Sequence, residues 1–72
     1  MENMSANTKL EIAVEIMAAK IAMYSNKGYK PEDKQMKKLI EEREEMYKGN
    51  NVVIDKIIIE YGPEIKKNYE EA

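Results

Sequence analysis

Two groups of side chains in this 72-residue chain have the types and spacing to do chemistry. The first is basic and aromatic: Tyr24, Lys27, Tyr29, Lys30, Lys34, Lys37 and Lys38 gather around one stretch. Tyrosine faces stack on bases and lysines neutralise phosphates. Glu32 and Asp33 partly offset the charge, so a nucleic acid is the weakest fit and one small anionic ligand a better one. The default reading of the same residues is an ordinary solvated turn. The second group is Arg43 with Tyr47. Arg43 reads first as the partner of Glu15 in a buried ion pair that fixes helix register. Alternatively, since a guanidinium suits the forked geometry of a carboxylate or phosphate, it lines a pocket at a subunit interface with Tyr47 and contacts a ligand or partner.

Carboxylates follow at Glu41, Glu42, Glu44 and Glu45. Glu41, Glu42 and Glu45 resemble the Glu-Glu-x-x-Glu element of the MazG-like nucleotide pyrophosphohydrolases. In that all-helical family, carboxylates on neighbouring helices hold magnesium. The resemblance implies Glu-x-x-Asp on the next helix, where this chain has only Asp55 and Glu60, five apart. The run therefore reads as a solvated acidic helix face, with Glu41 and Glu45 open to a partner. IDKIIIEY, residues 54–61, after IEEREEMY, is similar to the hairpin of the sporulation-regulating aspartyl-phosphate phosphatases. That family carries Ser-Gln-Glu-Leu-Asp where this chain has Asn51-Val52-Val53-Ile54-Asp55, so only Asp55 matches. Neither resemblance identifies the chain.

Catalysis by a nucleophile has no basis here. Cysteine and histidine are absent, and Ser5 and Ser25 have no base patterned near them. The three glycines are isolated terminators rather than a phosphate-cradling loop. No catalytic residue, metal site or cofactor is expected, and disulfides are excluded.

The elements that must position these groups are helices. Thr8 with Glu11 forms a capping box ahead of an apolar-periodic run, so a first helix is expected from Thr8 to about Asn26, ended by Gly28. Pro31 suits the first turn of a second helix, with Glu32 and Asp33 at its positive end. That helix should end near Lys48, with Gly49 beyond. Asn50 or Asn51 then caps VVIDKIIIEY. Its Val and Ile content leans towards strand, but Val53, Ile54, Ile57, Ile58 and Tyr61 share one face at about 100° per residue. Helix is the reading, stopped by Gly62-Pro63, with a last turn or two after it. Residues 1–7 are expected to be a flexible N-terminus and 8–72 a single helical domain.

The first helix carries two apolar stripes. Leu10, Val14, Met17, Ile21 and Tyr24 make one; Ile12, Ile16, Ala19 and Met23 make the other. Glu11 and Glu15 fill one gap between them, and Lys9 and Lys20 the other. One stripe should pack on the remaining helices. The second either meets another helix of the same chain or forms an oligomer seam, helped by Ala13, Ala18 and Ala22. A chain this short buries only about 60% of its unfolded surface, and with metals and disulfides excluded, self-association is the remaining staple. The second helix places Lys34, Lys37 and Lys38 before its glutamates, against the macrodipole, an order that an antiparallel copy of the same helix would complement.

The expectation is thus an all-α fold: an antiparallel helical hairpin plus a third helix, self-associating. Net charge is −2 at 36% charged residues, unlike a basic nucleic-acid binder. No apolar run approaches the roughly 18 residues of a membrane span, and no signal-peptide core precedes the first helix, so a cytoplasmic protein is expected. The expected function is non-enzymatic: an inhibitor or adaptor, of the kind phages and mobile elements carry, acting on another protein. The alternative is an oligomer that sequesters a small anionic or nucleotide ligand between subunits, and a nucleic-acid-binding hairpin is a weaker third reading.

Overall fold

The computed structural model describes the backbone of residues 6–71 and the side chains of 7–67. The chain is all-helical over that span. Helix α1 is Ala6–Asn26, α2 is Lys34–Tyr47 and α3 is Asn51–Lys56; a π-helical turn, Ile57–Tyr61, leads into α4, Gly62–Glu71. The last three follow without a break and make one long third helix. The third segment is therefore helix rather than strand, as its apolar period indicates. Residues 1–5 of the expected flexible N-terminus lie outside the described residues. Ala6 and Asn7 are already helical, so Thr8 sits inside α1 instead of capping it.

Two interhelical ion pairs fix direction. Lys9 Nζ lies 3.3 Å from Asp55 Oδ1, and Lys20 pairs with Glu64. Both partners advance together, so the third helix runs parallel to α1. Its short connections to each make α2 antiparallel to both. The Cα envelope measures 37 × 30 × 14 Å. With a Cα radius of about 2.3 Å and helix axes about 9 Å apart, the thin dimension holds two helices and no more.

The first two helices end in the same way. Gly28 (φ +99°) and Gly49 (φ +87°) take the left-handed conformation that favours glycine. Gly28 N–H donates to Ser25 C=O and Tyr29 N–H to Tyr24 C=O; Gly49 N–H donates to Met46 C=O and Asn50 N–H to Glu45 C=O. This is the paired bonding of a Schellman stop. Asn50 then caps the third helix, its side-chain oxygen accepting from Val52 N–H at 3.1 Å and Val53 N–H at 3.4 Å. Helix α2 begins after the expected Pro31: Lys30 to Asp33 close a turn, with Lys30 N–H donating to Asp33 Oδ2 at 2.8 Å and Asp33 N–H to Lys30 C=O at 2.9 Å.

Gly62-Pro63 does not stop the third helix. Proline has no N–H to donate, and its ring crowds the carbonyl four residues back, here that of Ile59. The π turn absorbs this conflict: Gly62 N–H bonds to Ile57 C=O, five residues back. Such single-turn widenings inside α-helices are the usual form of π structure. Gly62 also permits a close approach, since a Cβ there would meet Ile16 Cδ1 at 3.3 Å.

The core is small: Ala13 and Met17 from α1, Leu39 and Met46 from α2, Ile54 and Ile57 from the third helix. Met36 and Ile65 are buried as well. On α1 the burial corrects the two-stripe reading. Ala13, Met17 and Lys20 are buried while Glu11, Glu15, Ala18 and Ala22 are exposed. The lysine gap thus turns inward, and the two stripes are shoulders of one broad buried face. Ile12, Ile16, Ala19 and Met23 are each half-buried within the single chain, with the third helix against Ile16.

Candidate functional site

The densest polar arrangement is interior. Glu42, near the middle of α2, accepts from Lys56 Nζ at 2.5 Å and from Tyr61 O–H at 2.7 Å. Its side chain is 12% exposed. A fully satisfied carboxylate can be buried where an unpaired one cannot. The hydrogen bond to Glu42 pushes the Lys56 ammonium pKa up. Burial first, and then the bond to Glu42, push the Tyr61 phenol well above its ordinary value. Lys20, only 5% exposed, sits 4.9 Å from the centroid of Tyr24 and 4.8 Å from that of Tyr61. Its anion is Glu64, on the first turn of α4. An ammonium between two aromatic faces is held by their quadrupoles, so Lys20 fills an aromatic cage belonging to its own chain.

The expected basic–aromatic cluster is partly assembled. Tyr24 and Tyr29 stack at 4.9 Å between centroids with 28° between planes, and Lys27 Nζ lies 5.9 Å from the Tyr24 centroid. The two tyrosines are the residues that flank the Gly28 stop, where a side-chain contact commonly accompanies the backbone bonds. Their stack is therefore explained by helix termination. Lys30 is exposed in the turn.

The carboxylates of α2 diverge. Glu41 is exposed, Glu42 turns inward, and Glu45 accepts from Asn50 Nδ2 at 3.3 Å and Lys48 Nζ at 3.4 Å. Those bonds, that from Asn50 first, lower the Glu45 pKa. Glu45 and Asn50 occupy, around Gly49, the positions that Tyr24 and Tyr29 occupy around Gly28. Among the described residues no three acidic side chains converge to hold a metal ion. Arg43 is half-buried, Glu15 is exposed, and the two form no ion pair. Their levels match along the hairpin, but Glu15 points away from the bundle.

Sequence reasoning passed over a second feature. Val52 is 79% exposed and Ile59 70%, with Tyr47 61% exposed at the end of α2. The first two are seven residues apart and so lie on one side of the third helix, opposite the buried Ile54 and Ile57. The helical period already separates the two pairs; the signal was in the sequence but hidden among the five other apolar residues of the segment. No described helix is long and apolar enough to cross a membrane. Set against protein-family models, curated proteins and solved structures, the chain matches none.

Proposed function

We propose that this chain is a non-enzymatic binding protein that acts on another protein, docking through the outer face of its third helix. The observation that carries the reading is the exposure of Val52 and Ile59 on one side of that helix. A scattered exposed apolar residue is normal; two large β-branched ones on one side of a helix, in so small a chain, offer two apolar contact points on either side of Asp55 and Lys56. The exposed Glu41 of α2 adds acidic contact surface. Self-association and a cytoplasmic setting belong to the same reading, the first because chains below about 70–80 residues commonly need an added staple.

The ligand-sequestering alternative draws less support. The Tyr24 ring is already engaged by Tyr29, Lys20 and Lys27, which leaves little of it to stack on a nucleotide base.

The test is affinity purification from the producing cell with native mass spectrometry, comparing the parent with a Val52→Glu/Ile59→Glu variant. One dominant protein should accompany the parent at fixed stoichiometry and be lost from the variant, whose melting temperature should be unchanged. Equal recovery of that protein by both would defeat the reading.

A further inference from the structure

We infer that a second copy of this chain docks antiparallel, about a two-fold axis, on the face of the α1–α2 hairpin that lies away from the third helix. The inference rests on the self-association part of the proposed function and not on the partner-binding part. The third helix lies along the Lys9, Ile16 and Lys20 side of α1 and the Glu42 side of α2. At about 100° per residue, the opposite side presents Val14, Ala18 and Ile21 on α1 and Ile40 and Tyr47 on α2. Ala18 and Tyr47 are exposed, the others half-buried. Val14 and Ile21 lean on the core cluster with their inner sides, so the open part of this strip is Ala18 and Tyr47, with Ile40 half-buried.

Charge decides what fits there. The end of the hairpin holding the start of α1 and the close of α2 carries Glu11, Glu15 and Glu44. The turn end, although Glu32 and Asp33 offset part of its charge, carries Lys27, Lys34 and Lys37. All six are exposed, and among the described residues none has an ion-pair partner. Within α2 the order, lysine first and glutamate last, opposes the helix's own dipole; contacts inside the chain account for Glu42 and Glu45 but not for Glu44, Lys34 and Lys37. A two-fold axis near Ala18 and Ile40 brings the acidic end of each copy onto the basic end of the other. Isologous pairing of this kind makes every contact twice. Exposed ion pairs contribute little apiece; they select orientation and speed encounter, while the apolar strip supplies the attraction. The seam is on the opposite side of α1 from Ile12, Ile16, Ala19 and Met23.

Two charge-reversed variants test this, followed by sedimentation equilibrium with circular dichroism to verify folding. One carries Glu11→Lys/Glu15→Lys/Glu44→Lys, the other Lys27→Glu/Lys34→Glu/Lys37→Glu. The parent should dimerise, less tightly as salt rises. Each variant alone should dimerise at least tenfold more weakly, and an equimolar mixture should form a heterodimer. Variants that self-associate like the parent would refute this face and leave self-association standing. Weakened variants with no heterodimer on mixing would refute the charge pairing. A parent that stays monomeric at millimolar concentration would overturn both the inference and the self-association it rests on.

Discussion

The inner and outer sides of the third helix each carry side chains that an ordinary amphipathic helix would place on the other side. Inward, beside Ile54 and Ile57, it brings Lys56 and Tyr61 to Glu42, and Tyr61 and Glu64 to Lys20. Outward it presents Val52 and Ile59. The interior tolerates its charges because each has a partner, and no buried side-chain polar atom among the described residues is left without a hydrogen bond. The outer residues have no such account from folding. Where polar groups inside are all explained and apolar groups outside are not, the outside is where a function is to be sought.

The sharpest way to break this comparison is to truncate one isoleucine on each side. Ile57 is fully buried, so Ile57→Ala should cost about 2–5 kcal/mol through lost burial and a cavity. Ile59→Ala should change stability by no more than about 0.5 kcal/mol, as exposed substitutions do. Urea denaturation of the two variants reads the difference directly. Equal losses would mean that Ile59 is packed, and the outer contact points would disappear as an idea.

A smaller effect concerns which member of a charge pair the fold needs. Lys20 is buried, whereas the Glu64 side chain is 45% exposed. Glu64→Ala leaves an ammonium between two tyrosine rings without its anion. Stranding a fully buried charge costs about 3–5 kcal/mol; the partial exposure of Glu64 reduces this to about 2 kcal/mol. Lys20→Met keeps an unbranched stem of similar length and leaves a carboxylate that water reaches. Its cost should stay below about 1 kcal/mol, since replacing a buried ion by an apolar side chain is often neutral. Thermal melts that rank the two variants the other way would show that Lys20 contributes more than it costs.

How much of this was legible is clearest at particular residues. Gly28, Gly49 and Asn50 announced two helix ends and a start, because positive φ and N-capping have residue preferences that sequence displays. The helical period of Ile54, Ile57 and Tyr61 outweighed their β-propensity, since no second strand existed to pair with. Lys20 misled because lysine in a gap between apolar stripes normally faces water. Its burial depends on Tyr61 and Glu64, more than forty positions away, meeting it in space. Glu42 reads as one carboxylate of an acidic surface for the same reason. Pro63 reads as a stop because a π turn has no sequence signature of its own. Tyr24 and Tyr29 stand out in the sequence for their chemistry, although their spacing about Gly28 already marks them as a helix end.

The mildest test concerns the proton that Tyr61 keeps. Burial and the hydrogen bond to Glu42 raise its phenol pKa from the ordinary value near 10, and the Glu42 contact raises that of Lys56 from its ordinary 10.5. In both cases the folded chain holds a proton more tightly than the unfolded chain does. Stability from both groups is therefore fully present below about pH 10 and falls as pH rises above it, because the unfolded state then binds fewer protons. Unfolding free energy measured in urea from pH 8 to 11 should be level at first and then decline. Tyr61→Phe removes one of the two contributions, so its decline should be shallower but still present, while Glu42→Gln weakens the cause of both. The phenol itself supplies an independent readout: in an ultraviolet titration of the folded protein, one tyrosine should ionise only as the chain unfolds, and that late step should be missing from Tyr61→Phe. An alkaline decline identical in parent and Tyr61→Phe would show that the phenol's proton is not coupled to folding, and the buried network would then reduce to the Lys56–Glu42 pair.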